Sequence, residues 1–183
     1  MSTTDEILRV FAKRGAGAYF GESVTMTEHG LQAAYFARNA AAPPSLVIAA
    51  LLHDVGHLVV DVPDELKDWV EDAHHEEIGS KWLAQRFPPS VSEPVRLHVP
   101  AKRYLLAVDA GYFAKLSPAS VVTLKLQGGP MSPDEVARFE KEPHHLDAVK
   151  VRQWDDQGKV AGLTAPTFEE YGTLIESLTI RGS

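Results

Sequence analysis

The stretch Leu51-Leu52-His53-Asp54-Val55-Gly56-His57 places a histidine beside an aspartate at the end of an apolar segment. Residues 46–52 are apolar on every side of a helix, which is typical of a helix in the middle of a domain. Adjacent His and Asp side chains in such an interior cost free energy unless a metal ion or a charged group compensates them. The stretch therefore predicts a buried helix that ends at a polar site.

The rest of the chain has helical spacing of its apolar residues and no alternating strand pattern. We predict a helix that begins at an N-cap Thr27, a second that begins at Pro44, and further helices over residues 75–87, 91–98, 101–108, 117–126, 133–141, 146–159 and 167–179. Pro100 is expected to end the helix of His98 and to open the next one. The fold class is therefore predicted to be all-α, with one domain over residues 1–183.

Composition excludes several classes of protein. The 183 residues include no cysteine, which rules out disulfides and thiolate metal sites. Lys and Arg number 18 against 25 Asp and Glu, and a net charge of -7 argues against a nucleic-acid partner. No apolar run approaches the ~20 residues of a membrane span, and the N-terminal stretch has no apolar signal core. We expect a cytoplasmic protein with no membrane partner, while the oligomeric state has no signature.

Several histidines and acids are spaced so that separate helices could bring them together. A single buried histidine is as often a hydrogen-bonded core residue as it is a metal ligand. Here, however, the candidates recur along the chain as His29, His53, Asp54, His75, His98 and Asp155. Ligands from separate helices are how helical bundles build dinuclear metal sites. Imidazoles and carboxylates without thiolates suit Fe, Mn, Co, Ni or Zn better than Ca or Mg.

A series of short motifs occurs in order along the chain: Tyr19-Phe20-Gly21-Glu22, His29, His53-Asp54-Val55-Gly56-His57, His75-Glu76-Glu77-Ile78-Gly79, His98-Val99-Pro100-Ala101-Lys102, Leu116-Ser117-Pro118-Ala119-Ser120, Gln127-Gly128-Gly129-Pro130-Met131 and Arg152-Gln153-Trp154-Asp155-Asp156-Gln157-Gly158-Lys159. Together they resemble the HD-domain mixed-valent di-iron oxygenases of the PhnZ and TmpB type, which cleave organophosphonates. The resemblance covers residues 19–171. It implies a single HD-domain helical bundle with a buried dinuclear metal site.

The resemblance also implies the ligands of two Fe ions, one Fe(II) and one Fe(III). His29, His53 and Asp155 would hold one iron, His75 and His98 the other, and Asp54 would bridge them. Adjacent residues point about 100° apart on a helix, so only one of each neighbouring pair reaches a metal. The resemblance implies His75 over His74, because His75 stands four residues before Gly79 as in the family motif, and Asp155 over Asp156, because Asp155 stands four before Lys159 as in that motif. His144 and His145 are expected to be solvated loop residues.

The substrate contacts implied by the resemblance are Glu22, His57, Lys102, Ser120, Gln127 and Arg152. The sequence spacing supports some of these contacts. His57 follows His53 by four residues and Arg152 precedes Asp155 by three, so each pair is predicted to share one helical face. Ser120 and Gln127 are seven residues, two turns, apart. For Lys102 and Arg152, spacing alone favours ordinary surface ion pairing.

The catalytic set implied by the resemblance is Tyr19, Glu22 and His57. The tyrosine would occupy an iron site before substrate arrives, and Glu22 would contact the cationic nitrogen of the substrate. A carboxylate can hydrogen-bond an ammonium group, whereas a trimethylammonium favours aromatic faces. Trp69, Trp82 and Tyr112 could supply such faces. The sequence therefore does not decide whether the substrate nitrogen is a primary ammonium or a trimethylammonium group.

The function implied is iron- and O2-dependent oxidative cleavage of the C–P bond of a 1-hydroxy-2-(amino or trimethylammonio)ethylphosphonate. The products would be phosphate and glycine or glycine betaine. The alternative is an HD-type metal-dependent phosphohydrolase, in which the same metals activate water against a phosphate ester or nucleotide.

Overall fold

The structure is a computed structural model and describes residues 1–19, 21–59 and 74–180. Within them the regular structure is helical apart from one isolated bridge between Ala18 and Thr25, which confirms the all-α prediction. The helices are α1 (Thr3–Arg14), α2 (Met26–Asn39), α3 (Pro44–Leu52), α4 (Gly56–Val59), α5 (His75–Ala84), α6 (Pro89–Val108), α7 (Pro118–Leu126), α8 (Pro133–Phe139), α9 (His145–Gln157) and α10 (Phe168–Leu178), with a 3-10 turn at Phe113–Lys115. None of these helices is long and apolar enough to cross a membrane.

Helix α3 lies at the centre of the core, as its sequence predicts. Pro44 occupies its first turn, where the fixed φ of proline suits a helix and its missing N–H costs nothing. Every residue from Leu46 to Leu52 is buried, and α2, α6, α9 and α10 all pack against the helix. The end of α3 is therefore surrounded by other helices, which is where His53 follows.

Helix α1 is an element that the sequence analysis did not predict. Ser2 and Asp5 form a capping box at its start, and the apolar face buries Ile7 and Phe11 against the core. The signal was present in the sequence, since a Ser followed three residues later by an acid and then by apolar residues four apart is typical of a helix start. This helix packs against α4 and α10.

The N-cap of α2 is Thr25 and not Thr27, so the predicted start was wrong by two residues. The Thr25 hydroxyl accepts a hydrogen bond from the Glu28 amide at 3.1 Å, and the Glu28 carboxylate accepts one from the Thr25 amide at 2.7 Å. This reciprocal arrangement needs an acid three residues after the cap. Glu28 meets that spacing for Thr25 alone.

Helix α6 is continuous, and the prediction that Pro100 divides it was wrong. It runs from Pro89 to Val108 with Pro94 and Pro100 inside. Each proline removes one backbone hydrogen bond from the helix, but α3, α5 and α9 pack along α6 and hold its direction. Lys102 consequently lies one turn after His98 on a single helix, and both side chains are buried.

His57 belongs to a separate short helix, so the prediction that it shares a helical face with His53 was wrong. Helix α3 ends at Leu52, and a turn then leads into α4 at Gly56. A Cβ on Gly56 would lie 1.9 Å from the His75 carbonyl oxygen. Only glycine therefore lets α4 approach the start of α5 this closely, and that contact sets the position of His57.

Candidate metal centre

Four buried histidines meet in two pairs: His29 lies in the first turn of α2, His53 directly follows α3, His75 begins α5 and His98 lies in the middle of α6. The Nε2 atoms of His29 and His53 are 3.0 Å apart, and those of His75 and His98 are 3.2 Å apart. Two donors bound at right angles to one cation at about 2.1 Å each would be about 3.0 Å apart. Each pair therefore has the spacing of two ligands of a shared metal ion.

Backbone carbonyls orient three of the four imidazoles. Nδ1 of His29, His53 and His98 contacts a carbonyl oxygen at 2.8, 2.8 and 2.7 Å; the acceptors are Gly158, Ala50 and Val95. A carbonyl can only accept, so Nδ1 carries the proton and Nε2 keeps its lone pair for a metal. His75 differs, because its Nδ1 has the Glu76 carboxylate 3.6 Å away and no hydrogen-bond partner among the described residues.

Asp54 lies between the two histidine pairs and turns one oxygen toward each. Its Oδ2 is 3.2 Å from His53 Nε2 and 3.5 Å from His29 Nε2. Its Oδ1 is 3.3 Å from His75 Nε2 and 3.5 Å from His98 Nε2. This placement lets one carboxylate serve two cations at once.

Asp155 joins the first pair from α9. Its Oδ1 is 3.4 Å from His29 Nε2 and 3.9 Å from His53 Nε2, while its Oδ2 accepts a hydrogen bond from Arg152. The donor set is therefore three groups plus the shared Asp54 on one side, and two groups plus Asp54 on the other. The structure thus brings together all six side chains that the sequence singled out.

The donor atoms themselves indicate that cations fit here. Asp54 Oδ2 and Asp155 Oδ1 are buried and have no hydrogen-bond partner within the described part of the chain. Buried carboxylate oxygens without partners are costly, and two metal ions between these groups would satisfy them. The chemistry of the set, imidazole nitrogen and carboxylate oxygen, suits transition metals such as iron.

The pKa shifts in the metal-free cluster also indicate a site that favours cations. Burial alone would raise the pKa of Asp54, but the nearby His53 and the other imidazoles hold it well below its usual range. Burial likewise would lower the pKa of His29, yet the carboxylates of Asp155 and Asp54 raise it to about 9. The carboxylates therefore attract positive charge into the cluster, as a site for metal cations requires.

The neighbouring candidates do not join the cluster. His74 is exposed and adopts a left-handed backbone conformation with φ 53° just before α5. Asp156 pairs with Arg152 instead of facing the imidazoles. His144 and His145 are half-buried at the start of α9, so the expectation of a solvated loop was wrong.

A cavity of about 570 Å³ opens beside the cluster, and Asp54, His57, His75 and His98 form its floor. The wall includes Lys102, Ser120, Gln127 and Arg152, so five of the six predicted substrate contacts, His57 among them, line the cavity. The lining therefore combines the candidate metal ligands with the cationic side chains of Lys102 and Arg152 and several hydrogen-bonding groups. Such a pocket suits a small anion.

Lys102 is buried against this cavity. Its Nζ donates a hydrogen bond to the Thr123 hydroxyl at 2.9 Å. Burial, followed by repulsion from Arg152, lowers the pKa of Lys102 to about 8. An anion in the cavity would restore the interactions that the buried ammonium lacks.

Arg152 is also buried, so surface ion pairing, the alternative that spacing alone favoured for both cations, was wrong. It makes a hydrogen-bonded ion pair with Asp155 at 2.6 Å and a second, short one with Asp156. Its Nη2 lies 3.4 Å from the Ser120 hydroxyl. The Arg152 guanidinium therefore forms its ion pairs in the protein interior, beside the candidate metal ligands, and not at the solvated surface.

Two further predicted residues lie against the imidazoles. The Tyr19 ring stacks on His29 with a centroid distance of 3.9 Å, and His57 stacks on His75 at 4.0 Å. Burial, with the Asp54 and Asp155 carboxylates, raises the pKa of Tyr19 well above its ordinary value. Burial and repulsion from His75 lower the pKa of His57, which keeps that imidazole neutral. Both residues line the cavity.

Glu22 stands apart from the cavity lining. Its backbone amide donates to the Tyr19 carbonyl at 2.7 Å, and its Oε1 is buried with no hydrogen-bond partner among the described residues. Of the aromatic candidates, Trp82 carries the Arg86 guanidinium 3.8 Å above its ring, and Tyr112 bonds to Arg152. Trp69 lies outside the described residues.

Three residues near Arg152 make contacts that the sequence analysis did not predict, since it gave Tyr112 only as a possible aromatic face, Asp156 only as the unchosen neighbour of Asp155, and Lys159 no role. Tyr112 donates a short hydrogen bond to Asp156, and Lys159 Nζ is 3.1 Å from the Ser120 hydroxyl and 3.5 Å from Asp155 Oδ1. Helical spacing could have suggested two of them, since Asp156 follows Arg152 by four residues and Lys159 follows Asp155 by four. Tyr112 had no such signal.

The sequence matches the HD-domain family over residues 26–156. A hydroxymethylphosphonate dioxygenase of Gimesia maris is 48% identical over 161 residues, which cover 87% of this chain and 80% of that protein. A glycine-betaine-forming 1-hydroxy-2-(trimethylamino)ethylphosphonate dioxygenase of Leisingera caerulea is 43% identical over 169 residues, covering 92% and 86%. An uncharacterised protein of Acanthamoeba polyphaga mimivirus is 32% identical over 177 residues, covering 96% and 81%.

Proposed function

Because the chain belongs to the HD-domain family, we propose that it is an iron- and O2-dependent dioxygenase of 1-hydroxyalkylphosphonates. The substrate proposed is a 1-hydroxy-2-(amino or trimethylammonio)ethylphosphonate, cleaved to phosphate and glycine or glycine betaine. The observation that carries the proposal is Asp54, which offers one oxygen to each of two histidine pairs at the floor of a cavity that Lys102 and Arg152 also line. The two dioxygenase relatives support the reaction class.

The proposed metal ligands are His29, His53, Asp54, His75, His98 and Asp155, which would hold two Fe ions in a mixed-valent Fe(II)/Fe(III) state. When bound, the irons would supply the redox chemistry with O2 and a contact for the substrate oxygens. In the overall reaction both atoms of one O2 enter the products. The carbon that bears the hydroxyl becomes a carboxylate, and the phosphonate leaves as phosphate.

The residues of the chain would bind and orient the substrate. Lys102 and Arg152 would neutralise the phosphonate charge, while Ser120 and Gln127 would offer hydrogen bonds to its oxygens. His57, kept neutral by its burial beside His75, can exchange a proton with the substrate hydroxyl. Tyr19, stacked on His29, would cover the cluster until substrate enters.

The proposal includes the domain organisation, cellular location and partners of the enzyme. We expect one domain over residues 1–183, acting in the cytoplasm on a small organophosphonate and O2. The net charge of -7 supports the absence of a nucleic-acid partner. The oligomeric state carries no signature in the sequence.

The decisive experiment measures O2 consumption and phosphate release by iron-loaded protein. The panel contains hydroxymethylphosphonate, 2-amino-1-hydroxyethylphosphonate and 1-hydroxy-2-(trimethylamino)ethylphosphonate, with 2-aminoethylphosphonate, which lacks the hydroxyl, as control. We expect equal amounts of O2 consumed and phosphate released. Phosphate release from a phosphate ester or nucleotide under strict anaerobiosis would instead establish the HD-type phosphohydrolase.

A further inference from the structure

The Arg152 guanidinium is held on three sides by groups of the protein. Nη1 donates to Asp155 Oδ2 at 2.6 Å, Nε donates to the Tyr112 hydroxyl at 3.0 Å, and Nη2 donates a short hydrogen bond to Asp156 Oδ1. A guanidinium has five N–H donors in one plane. Nη2 also donates to the Ser120 hydroxyl at 3.4 Å, and both Ser120 and Arg152 line the cavity.

Tyr112 and Asp156 form the outer part of this arrangement. Tyr112 comes from the segment between α6 and α7, where it is 3% exposed, and its hydroxyl donates to Asp156 Oδ2 while it accepts from Arg152. Asp156 binds the guanidinium through both of its oxygens. Two elements far apart in sequence therefore fix the same planar group.

The charges explain why the second carboxylate matters. Asp155 turns one oxygen to Arg152 and the other to the histidine pair. If Asp155 were the sole partner of Arg152, the guanidinium would be free to rotate about that single contact. Asp156 removes this freedom, and the two negative charges are balanced by Arg152 and Lys159.

We propose that Tyr112 and Asp156 are positioning residues, which hold Arg152 in place at the cavity wall beside Ser120 as part of a preformed receptor for a tetrahedral phosphorus oxyanion. The proposal rests on the proposed function, since it assigns Arg152 to the phosphonate group. Neither Tyr112 nor Asp156 is among the residues that line the cavity. Their effect is to order the guanidinium before the anion arrives, so that binding does not have to order it.

The test measures the binding of inorganic phosphate to iron-loaded protein by anaerobic titration calorimetry. Tyr112→Phe removes one hydroxyl and keeps the ring, and we expect about tenfold weaker phosphate binding. Asp156→Asn keeps the shape and removes the charge, and the loss should be at least as large. In turnover the same variants should raise KM by the same factor and leave kcat within about twofold, because only the ground-state and transition-state contact to the anion is weakened.

Matched controls come from elsewhere in the fold. Tyr104→Phe removes a hydroxyl that bonds Glu140 at the surface, and Asp147→Asn removes a charge on the same helix as Asp156. Both should bind phosphate as wild type does. Iron content measured for each variant separates an effect on Arg152 from one on the cluster, and should stay at two per chain.

Unchanged phosphate affinity in a folded Tyr112→Phe protein would overturn the proposal. So would a loss of iron in place of a loss of affinity, because the residues would then act through Asp155. If Tyr112→Phe does not fold, Asp156→Asn decides by the same two measurements. A wild type that binds phosphate in this way and yet consumes no O2 with any phosphonate would defeat the proposed function and leave this assignment standing.

Discussion

At the scale of single residues, the orientation of three of the candidate ligands in the cluster is set by the hydrogen bond that the other ring nitrogen makes. His29, His53 and His98 present Nε2 to the centre because their Nδ1 atoms are fixed by carbonyl oxygens. Lys102 and Arg152 are buried cations, and each is tolerated because a hydroxyl or carboxylate lies within hydrogen-bond reach. These local contacts give the site its chemical character before any ligand binds.

The Lys102 ammonium gives the enzyme a predicted alkaline limit. Its pKa is lowered to about 8, so it is charged at pH 7 and loses its charge as pH rises through that value. Attraction for the phosphonate is then lost, and kcat/KM, which reports the free enzyme, should fall above about pH 8. Groups that share this field are Arg152, Lys159, Asp155 and Asp156.

The matched variant is Lys102→Arg, measured over the same pH range with the same substrate. An arginine stays protonated throughout, so the alkaline fall should flatten, even if the absolute kcat/KM is lower. Titration of the substrate itself is common to both proteins. An identical alkaline limb in the two would show that Lys102 does not carry this dependence.

Glu22 offers a prediction about substrate choice. The resemblance implies that Glu22 contacts the substrate nitrogen, although Glu22 is not among the residues that line the cavity. If it does, Glu22→Gln, which removes a negative charge and keeps the size of the side chain, should raise KM for 2-amino-1-hydroxyethylphosphonate about tenfold or more. Hydroxymethylphosphonate has no nitrogen and should be turned over by the variant as by wild type. Equal KM changes with both substrates would place the nitrogen away from Glu22.

At the scale of elements, the centre depends on how closely neighbouring helices approach. Helix α4 meets the start of α5 at Gly56 and Gly79, where a Cβ on Gly79 would lie 3.1 Å from the Gly56 amide nitrogen. Helix α6 stays continuous through two prolines because its neighbours pack along it. Together these contacts place His75 and His98 side by side.

Gly56→Ala should therefore be strongly destabilising. Its Cβ would lie 1.9 Å from the His75 carbonyl oxygen, and the backbone would have to shift, at a cost of about 1–3 kcal/mol. The matched control is Gly172→Ala in α10, where the nearest side-chain atom is 3.5 Å away. That change should raise stability by about 1 kcal/mol, because alanine favours the helix.

Urea unfolding of both variants tests this prediction, and metal analysis extends it. Displacement of α5 moves His75, so Gly56→Ala should also bind less iron than wild type. A Gly56→Ala protein as stable as wild type would mean that the two helices can separate without cost.

At the scale of the whole molecule, the cluster joins helices that are distant in sequence. The six proposed ligands come from α2, the end of α3, α5, α6 and α9, so ions bound there would link most of the core. The carboxylates of Asp54 and Asp155 also draw positive charge into the metal-free cluster, since they raise the pKa of His29. Metal binding is therefore expected to contribute to folding stability as well as to catalysis.

Removal of metal should lower the melting temperature. Free iron at about 100 times its dissociation constant would contribute about 2.7 kcal/mol, or roughly 5–10 °C for a chain of this size. Calorimetry before chelation, after chelation and after Fe(II) is restored measures the effect. Asp54→Asn is the control, since a protein without the shared carboxylate should gain less in melting temperature from iron than wild type does.

The sequence by itself determined the helical class and the central position of α3, because hydrophobic periodicity and a His-Asp pair in an apolar segment are local signals. The set of six side chains that converge came from the resemblance of its ordered motifs to a known family. Three features depended on tertiary contacts. Helix α6 passes through Pro100 because neighbouring helices support it, and His57 reaches His75 because α4 and α5 meet at glycine. Tyr112 meets Arg152 from a segment 40 residues away. Such contacts between distant segments leave no periodic trace in the sequence, and only the packed structure brings them together.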